Sequence, residues 1–216
     1  MKPVEEKNET HAAGKGLVLV VSAPSGTGKT TICRELLTIE PRIRFSVSYT
    51  TRAPRRGERN GKDYCFVSDA EFGKLIAEGE FIEWAENYGN LYGTAKSSIR
   101  DSVDSGSDVL LDVDPLGAKN LKKLYPEGVF VFILPPSLDI LKERLQRRGS
   151  EKKETVKLRT DRAVEEIGEA RWYDYVIFNQ DIGDSVDILR AVYVAEKHRQ
   201  RRLKKEIDNL TATGGI

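Results

Sequence analysis

Ala23-Pro-Ser-Gly-Thr-Gly-Lys-Thr30 brings two glycines, an amine and a hydroxyl together at the spacing of a loop that cradles a chain of phosphates. In such a loop, backbone N–H groups converge on phosphate oxygens, reinforced by the N-terminus of the helix that follows. Gly26 and Gly28 permit the backbone angles and the close approach this needs. Lys29 has the reach to meet the β- and γ-phosphates, and the Thr30 hydroxyl is a ligand for Mg²⁺. The expected ATP-binding loop is therefore Ala23, Pro24, Ser25, Gly26, Thr27, Gly28, Lys29, Thr30 and Thr31, with Ala23 standing where the pattern has its first glycine. Asp112 closes the run Asp108-Val-Leu-Leu-Asp112 and is placed to hold Mg²⁺ or its bound water, although an aspartate there could also cap the next helix. Thr30 and Asp112 make up the expected metal set. These residues point to a P-loop nucleotide hydrolase or kinase, and the acceptor has to be read elsewhere in the chain.

A phosphate loop must hang between a buried strand and a helix. Gly16-Leu-Val-Leu-Val-Val21 is a β-branched run suited to a strand covered on both faces, and a helical pattern follows from about Lys29 to Ile39. Further strands are expected at Asp108–Asp112, Val129–Ile133 and Tyr175–Phe178, separated by helices near Pro115–Leu124, Ser137–Arg147 and Thr155–Arg171. That alternation predicts an α/β fold with a mostly parallel sheet flanked by helices. From about Arg44 to Tyr92 the texture changes to short polar-aromatic segments rich in glycine and arginine, which reads as an inserted lobe. The charged stretch Arg147–Lys157, with Gly149 near its start, reads as a small lid. A last helix is expected over about Ser185–Asn209, and the basic run His198–Lys205 within it as a solvated face.

Composition bounds the function classes. The 216 residues are 39% apolar and 32% charged with a formal net charge of +1, so the cationic excess of a duplex-binding domain is missing and nucleic acid is not an expected partner. No apolar run approaches the length needed to span a bilayer, and the first sixteen residues lack the apolar segment of a signal peptide. Cys33 and Cys65 are far apart with no metal-binding spacing, the pattern of reduced thiols. A cytoplasmic location is expected. The oligomeric state stays open, a homo-oligomer included.

The segment Phe45-Ser-Val-Ser-Tyr-Thr-Thr-Arg-Ala-Pro-Arg-Arg-Gly-Glu-Arg-Asn-Gly-Lys-Asp-Tyr64 resembles the signature of the guanylate kinase family, as do Glu80–Ala85, Tyr92–Thr94 and Leu111–Asp114. The resemblance runs from about Gly16 to Lys197 with the blocks in the family's order. It implies a domain over 16–207 between flexible tails at 1–15 and 208–216, with a core of 16–43, 95–146 and 159–207, a GMP-binding lobe over 44–94 and a lid over 147–158. It also implies that Arg52, Arg55, Tyr64 and Tyr92 hold the phosphate of GMP, and that Ser48, Glu83, Thr94 and Asp114 surround its guanine, with Asp112 beside them. Arg144, Arg148 and Arg159 match the lid arginines that close over the transferring phosphoryl, joining Lys29 and Arg52 as the catalytic set. Asn179 matches the segment near the adenine of ATP. The substrates so implied are ATP and GMP, with dGMP a further acceptor, and the cofactor is Mg²⁺.

Residue types favour the same acceptor. A nucleoside monophosphate carries a near-dianionic phosphate, which suits arginine forks and phenolic hydroxyls. Guanine offers N–H donors at N1 and N2 to a carboxylate such as Glu83 and an acceptor at O6 to a hydroxyl such as Ser48. An ionised phosphate needs no general base, consistent with both histidines, His11 and His198, lying away from every motif. Each residue has a duller alternative: a solvated loop for the arginines, half-buried packing for Tyr64 and Tyr92, a helix cap for Asp114 before Pro115. A catalytically dead interaction module of the same family is disfavoured by the intact Lys29 and Thr30, and a ribose 1,5-bisphosphate kinase by Ser48, Glu83 and Thr94. Leu116 stands where many family members carry a polar residue.

Overall fold

A computed structural model describes residues 16–55, 57–87, 89–147 and 153–213. In chain order the elements are β1 (Val18–Ser22), α1 (Lys29–Ile39), β2 (Arg44–Phe45), β3 (Tyr49–Thr50), β4 (Cys65–Phe66), α2 (Asp69–Ala77), β5 (Phe81–Asn87), β6 (Asn90–Ala95), α3 (Lys96–Asp104), β7 (Val109–Asp112), α4 (Pro115–Leu124), β8 (Val129–Leu134), α5 (Leu138–Arg147), α6 (Lys153–Gly168), β9 (Tyr175–Phe178), α7 (Ile182–Lys197) and α8 (Lys204–Thr213).

Five strands form a parallel sheet in the order β2-β7-β1-β8-β9, with β1 at its centre. Val18–Ser22 is buried at every position because both faces of the strand are covered. Its alternate side chains serve opposite layers. Leu19 and Val21 pack with Ile32 and Leu36 of α1 and Leu189 and Tyr193 of α7, while Val18 and Val20 pack with Ile99, Val103, Ala118 and Leu121 of α3 and α4. The register sets Val20 beside Leu111 and Phe130, and Val21 beside Asp112. The carboxyl end of β1 therefore delivers the phosphate loop next to the carboxylate that ends β7, the usual ligand side of an open parallel sheet.

The second sheet, in the order β4-β3-β6-β5, is antiparallel except for the β3–β4 pair. In β5 the residues alternate, with Phe81, Glu83 and Ala85 buried and Trp84 and Glu86 exposed. Phe72 of α2 stacks on Phe81 with ring centroids 4.5 Å apart, and the absent side chain of Gly93 leaves room for both rings.

The predicted strands and helices of the parallel layer are present within a few residues. Arg44–Phe45, expected to open the inserted lobe, pairs with β7 instead and extends the parallel sheet. Helices α2 and α3 were not anticipated. The expected single helix over Ser185–Asn209 is two helices, broken after Lys197, and α8 carries helical structure on to Thr213. The basic run at the break is partly paired: Arg199 with Glu196, and Arg201 with Glu127.

Candidate active site

The phosphate loop is held from below. Thr27 donates from Oγ1 to the Pro24 carbonyl at 2.5 Å, and its own carbonyl accepts from Asn179 Nδ2 at 2.6 Å and Arg144 Nη1 at 3.2 Å. Gly26 and Gly28 sit at φ +90° and +101°, conformations that L side chains rarely adopt, and a Cβ on Gly28 would stand 2.7 Å from Asn179 Nδ2. The methyl of Ala23 packs into the cluster formed by Leu19, Val21 and Ile32, so the residue that departs from the glycine pattern serves the core. Helix α1 starts at Lys29 and turns its first N–H groups toward the loop.

Lys29, Thr30 and Asp112 converge, as the strand register requires. The Lys29 ammonium is paired with Asp112 Oδ1 and donates to the Val113 carbonyl at 2.9 Å, and Thr30 Oγ1 donates to Asp112 Oδ2 at 3.1 Å. Burial opposes the charge on Lys29, yet the facing Asp112 carboxylate outweighs it and holds the amine well above its ordinary value. One carboxylate oxygen and one hydroxyl are the sparse protein share of a Mg²⁺ site, where the rest of the octahedron is water and substrate phosphate. No cluster of three or more His, Cys, Asp or Glu able to hold a metal occurs among the described residues.

Across the cleft stand the lobe residues. Ser48, Arg52, Arg55, Tyr64, Glu83 and Tyr92 line the same cavity as the loop residues Ala23–Thr31 and Asp112, and Asp114 of the core joins them. Arg52 is clamped by Glu58, with Nη1 to Oε2 at 3.1 Å and Nη2 to Oε1 at 3.0 Å, and lies 5.4 Å from the Tyr64 ring centroid. Glu58 also accepts from the Arg55 backbone N–H at 2.7 Å, so one carboxylate sets both arginines. Burial works against ionisation of Glu58, but the Arg52 fork and the Arg55 N–H win and hold it below the usual carboxylate range. Tyr64 and Tyr92 meet edge to face at 6.1 Å, and burial with the nearby Asp112 charge pushes the Tyr64 hydroxyl up to about 12, keeping it a neutral donor.

Glu83 is only 8% exposed and accepts from the Thr94 hydroxyl at 2.6 Å. Burial pushes its carboxyl up to about 7, partly offset by the Thr94 hydrogen bond and augmented by the Asp114 charge. Gly117 makes this approach feasible, because a Cβ there would lie 2.9 Å from Glu83 Oε2. Asp114 does cap α4, with Oδ1 accepting from the Gly117 N–H at 2.8 Å, and its Oδ2 accepts from Asn87 Nδ2 at 3.0 Å while the residue still faces the cavity. Leu116 is 53% exposed and is not among the residues that line the cavity.

Two expected residues stand differently. Asn179 is fully buried, with its amide on Thr27 and its Oδ1 accepting from Ser185 Oγ at 3.0 Å, so it supports the loop where contact with adenine was expected. Arg144 lies behind the loop on the Thr27 carbonyl and is not part of the cavity wall. Arg159 belongs to α6, and Arg148 lies outside the described residues, as does part of the expected lid. Sequence reasoning missed Glu58, Asn87 and Glu166. Glu58 carried a signal, a lone acid among Arg52, Arg55 and Arg59; Glu166, inside an ordinary amphipathic helix, carried none.

The guanylate kinase family model matches residues 15–196. Guanylate kinase of Carboxydothermus hydrogenoformans is 48% identical over 193 residues, covering 89% of this chain and 95% of that protein. Guanylate kinase of Symbiobacterium thermophilum is 50% identical over 188 residues, covering 87% and 89% respectively. The crystal structure of guanylate kinase from Anaplasma phagocytophilum has a TM-score of 0.73 at 39% identity, covering 87% of this chain and 89% of that one.

Proposed function

Because the chain belongs to the guanylate kinase family, we propose that it transfers the terminal phosphoryl group of ATP to GMP, and to dGMP, giving the nucleoside diphosphates. The observation that carries this reading is a single cavity with a phosphate loop on one wall and, on the other, two arginines, two tyrosines and a buried carboxylate. The loop N–H groups and Lys29 hold the donor's phosphate chain. Arg52, Arg55, Tyr64 and Tyr92 hold the acceptor phosphate. Glu83, oriented by Thr94 and by the space over Gly117, takes the N–H donors of guanine, and Ser48 and Asp114 border the same base.

Phosphoryl transfer asks the protein mainly for positioning and charge neutralisation. The acceptor arrives ionised, so no residue removes a proton. Thr30 and Asp112 are the residues that would hold Mg²⁺, which when bound supplies positive charge beside the phosphates. Lys29 exchanges its contact with Asp112 for the donor phosphates; Arg148 and Arg159 are assigned to the transferring phosphoryl, and Arg144, on the Thr27 carbonyl, to support of the phosphate loop. We assign 44–94 to acceptor binding and 147–158 to a covering lid that excludes water, within a domain over 16–207. Such an enzyme recycles GMP in purine nucleotide metabolism in the cytoplasm. No helix among the described residues is long and apolar enough to cross a membrane.

A coupled ADP-release assay with GMP, AMP, CMP, UMP and ribose 1,5-bisphosphate tests the reading. GMP should exceed AMP in kcat/KM by about 10⁴-fold, because adenine strands the buried carboxylate. Preference for any other acceptor in the panel overturns it.

A further inference from the structure

One polar side chain in the cavity has no part in the mechanism above. Asn87, at the end of β5, lines the cavity along with Glu83 and Ala85, the residues that share its face of the strand. Its Nδ2 donates to Asp114 Oδ2 at 3.0 Å, which fixes the amide's orientation, because an amide turned round would set oxygen against carboxylate. Oδ1 is left as the acceptor, and it is buried with no hydrogen-bond partner among the described residues. One other cavity residue has a buried side-chain atom in that condition, Asp112 with its Oδ1, and the Lys29 ammonium stands against it.

This acceptor stands beside the carboxylate assigned to the base. Asp114 Oδ1 caps α4 on the Gly117 N–H at 2.8 Å, and a Cβ on Gly117 would lie 3.5 Å from that oxygen and 2.9 Å from Glu83 Oε2. The two carboxylates therefore flank one narrow gap, and Asn87 is bonded to one of them. Tyr92, assigned to the acceptor phosphate, pairs across from Ala85, between Glu83 and Asn87 in the strand register. A nucleotide held by its base at Glu83 and its phosphate at Tyr92 spans this stretch of β5. Once Glu83 has taken the N1–H and one N2–H of guanine, the donors left over are the second 2-amino hydrogen and the ribose hydroxyls. A buried acceptor without a donor costs free energy, and a ligand that brings the donor removes that cost on binding.

Resting on the GMP reading, we propose that Asn87 is a specificity-determining residue whose Oδ1 accepts a hydrogen bond from one of these leftover donors, the second 2-amino hydrogen or a ribose hydroxyl. Asp114 aims the amide, and the amide in turn holds Asp114 in place. An acceptor that lacks the matching donor leaves Oδ1 buried and unpaired, so the residue selects against that acceptor as well as for GMP. A purely structural amide behaves otherwise, since its removal affects every acceptor alike.

Steady-state kinetics of the intact chain at saturating MgATP, on wild type, Asn87→Ala and Asn87→Val, test it with GMP, IMP, dGMP, 3′-deoxy-GMP and AMP as acceptors. Asn87 is half-buried at the hairpin end of β5, where either replacement is accommodated. IMP lacks the 2-amino group, and the two deoxynucleotides each lack one hydroxyl. The expected result is a fall in kcat/KM for GMP of about three- to tenfold in both variants, carried by KM, the scale of one neutral hydrogen bond. With one of the three guanine-type analogues the variants should lose less than with GMP by that factor, and that analogue identifies the donor. Losses equal across GMP and all three analogues reduce Asn87 to a support for Asp114 and overturn the proposal, as does an unchanged KM for GMP in either variant. A wild-type chain that prefers AMP to GMP overturns the acceptor reading itself, an outcome distinct from equal losses in the variants.

Discussion

Glu83 links base recognition to both pH and stability. Its carboxyl sits at about 7 against an ordinary value of 4.5 because it is buried beside Asp114, and only Thr94 offsets this. Guanine donors need the ionised form, so binding at low pH must first remove a proton. With a value near 7, about a tenth of the carboxyl is ionised at pH 6 and about nine-tenths at pH 8, so affinity should rise about tenfold between them. Guanosine is the ligand to use, since the phosphate of GMP titrates near the same range, at about pH 6. The same shift acts on the fold. A carboxyl whose folded value is raised binds its proton more tightly when folded, so its stability contribution is complete below 4.5 and is lost as pH rises to about 7. The loss at pH 8 is about 3 kcal/mol. Glu83→Gln retains the shape and an acceptor for Thr94, so it should stabilise the chain at pH 8 by about 2–3 kcal/mol in urea denaturation and leave pH 4 unchanged. The variant should lose guanosine binding while keeping MgATP. Affinity that is flat from pH 6 to 8, or a Gln variant less stable at pH 8, would refute the reasoning.

Other substitutions probe the remaining supports. Lys29→Met should lower kcat by about 10³-fold with the fold intact by circular dichroism, since a positive group aimed at the developing charge is lost; near-normal turnover contradicts its role. Gly117→Ala places a Cβ 2.9 Å from Glu83 Oε2, so KM for GMP should rise by one to two decades while KM for ATP holds, and parallel changes in both would count against this geometry. Asn179→Ala removes a fully buried amide that bonds Thr27 and Ser185, and should cost about 1–3 kcal/mol in denaturant unfolding together with weaker ATP binding. Unchanged stability there would mean the loop is held by Arg144 alone.

Legibility in the sequence followed the range of the interactions. The parallel layer was readable because its signals are local: the buried run at Val18–Val21, the glycines of the loop, and Pro115 at the first turn of α4. The small sheet was less so, because β3 and β4 are two residues each and exist only through pairing with chain segments far away. The break after Lys197 escaped notice because the basic residues there are good helix formers, and contacts with Glu127 and Glu196 override that preference. Among site residues, Lys29, Thr30 and Asp112 could be brought together on paper since strand order forces them to meet. Asn179 could not be placed under the loop, because that depends on where β9 ends relative to Thr27, a relation set by the packing of α7.

The cavity has a charge logic that follows from this packing. Lys29 is paired with Asp112 and Arg52 with Glu58, while Arg34 of α1 pairs with Asp63 beside the neighbouring groove. Two phosphate-bearing ligands meeting head to head need concentrated positive charge, yet a chain of net charge +1 that held bare cations in a half-dry cleft would pay heavily for their desolvation. Internal carboxylates satisfy these cations until ligands arrive. Binding is then an exchange of carboxylate for phosphate, so each step gives the difference between two ionic contacts and not a full one. That difference favours phosphate because it carries more charge and more acceptor atoms, and it leaves displaced acids such as Glu58 to find water. A small differential of this kind keeps nucleotides releasable after transfer, which a site of unpaired cations would not.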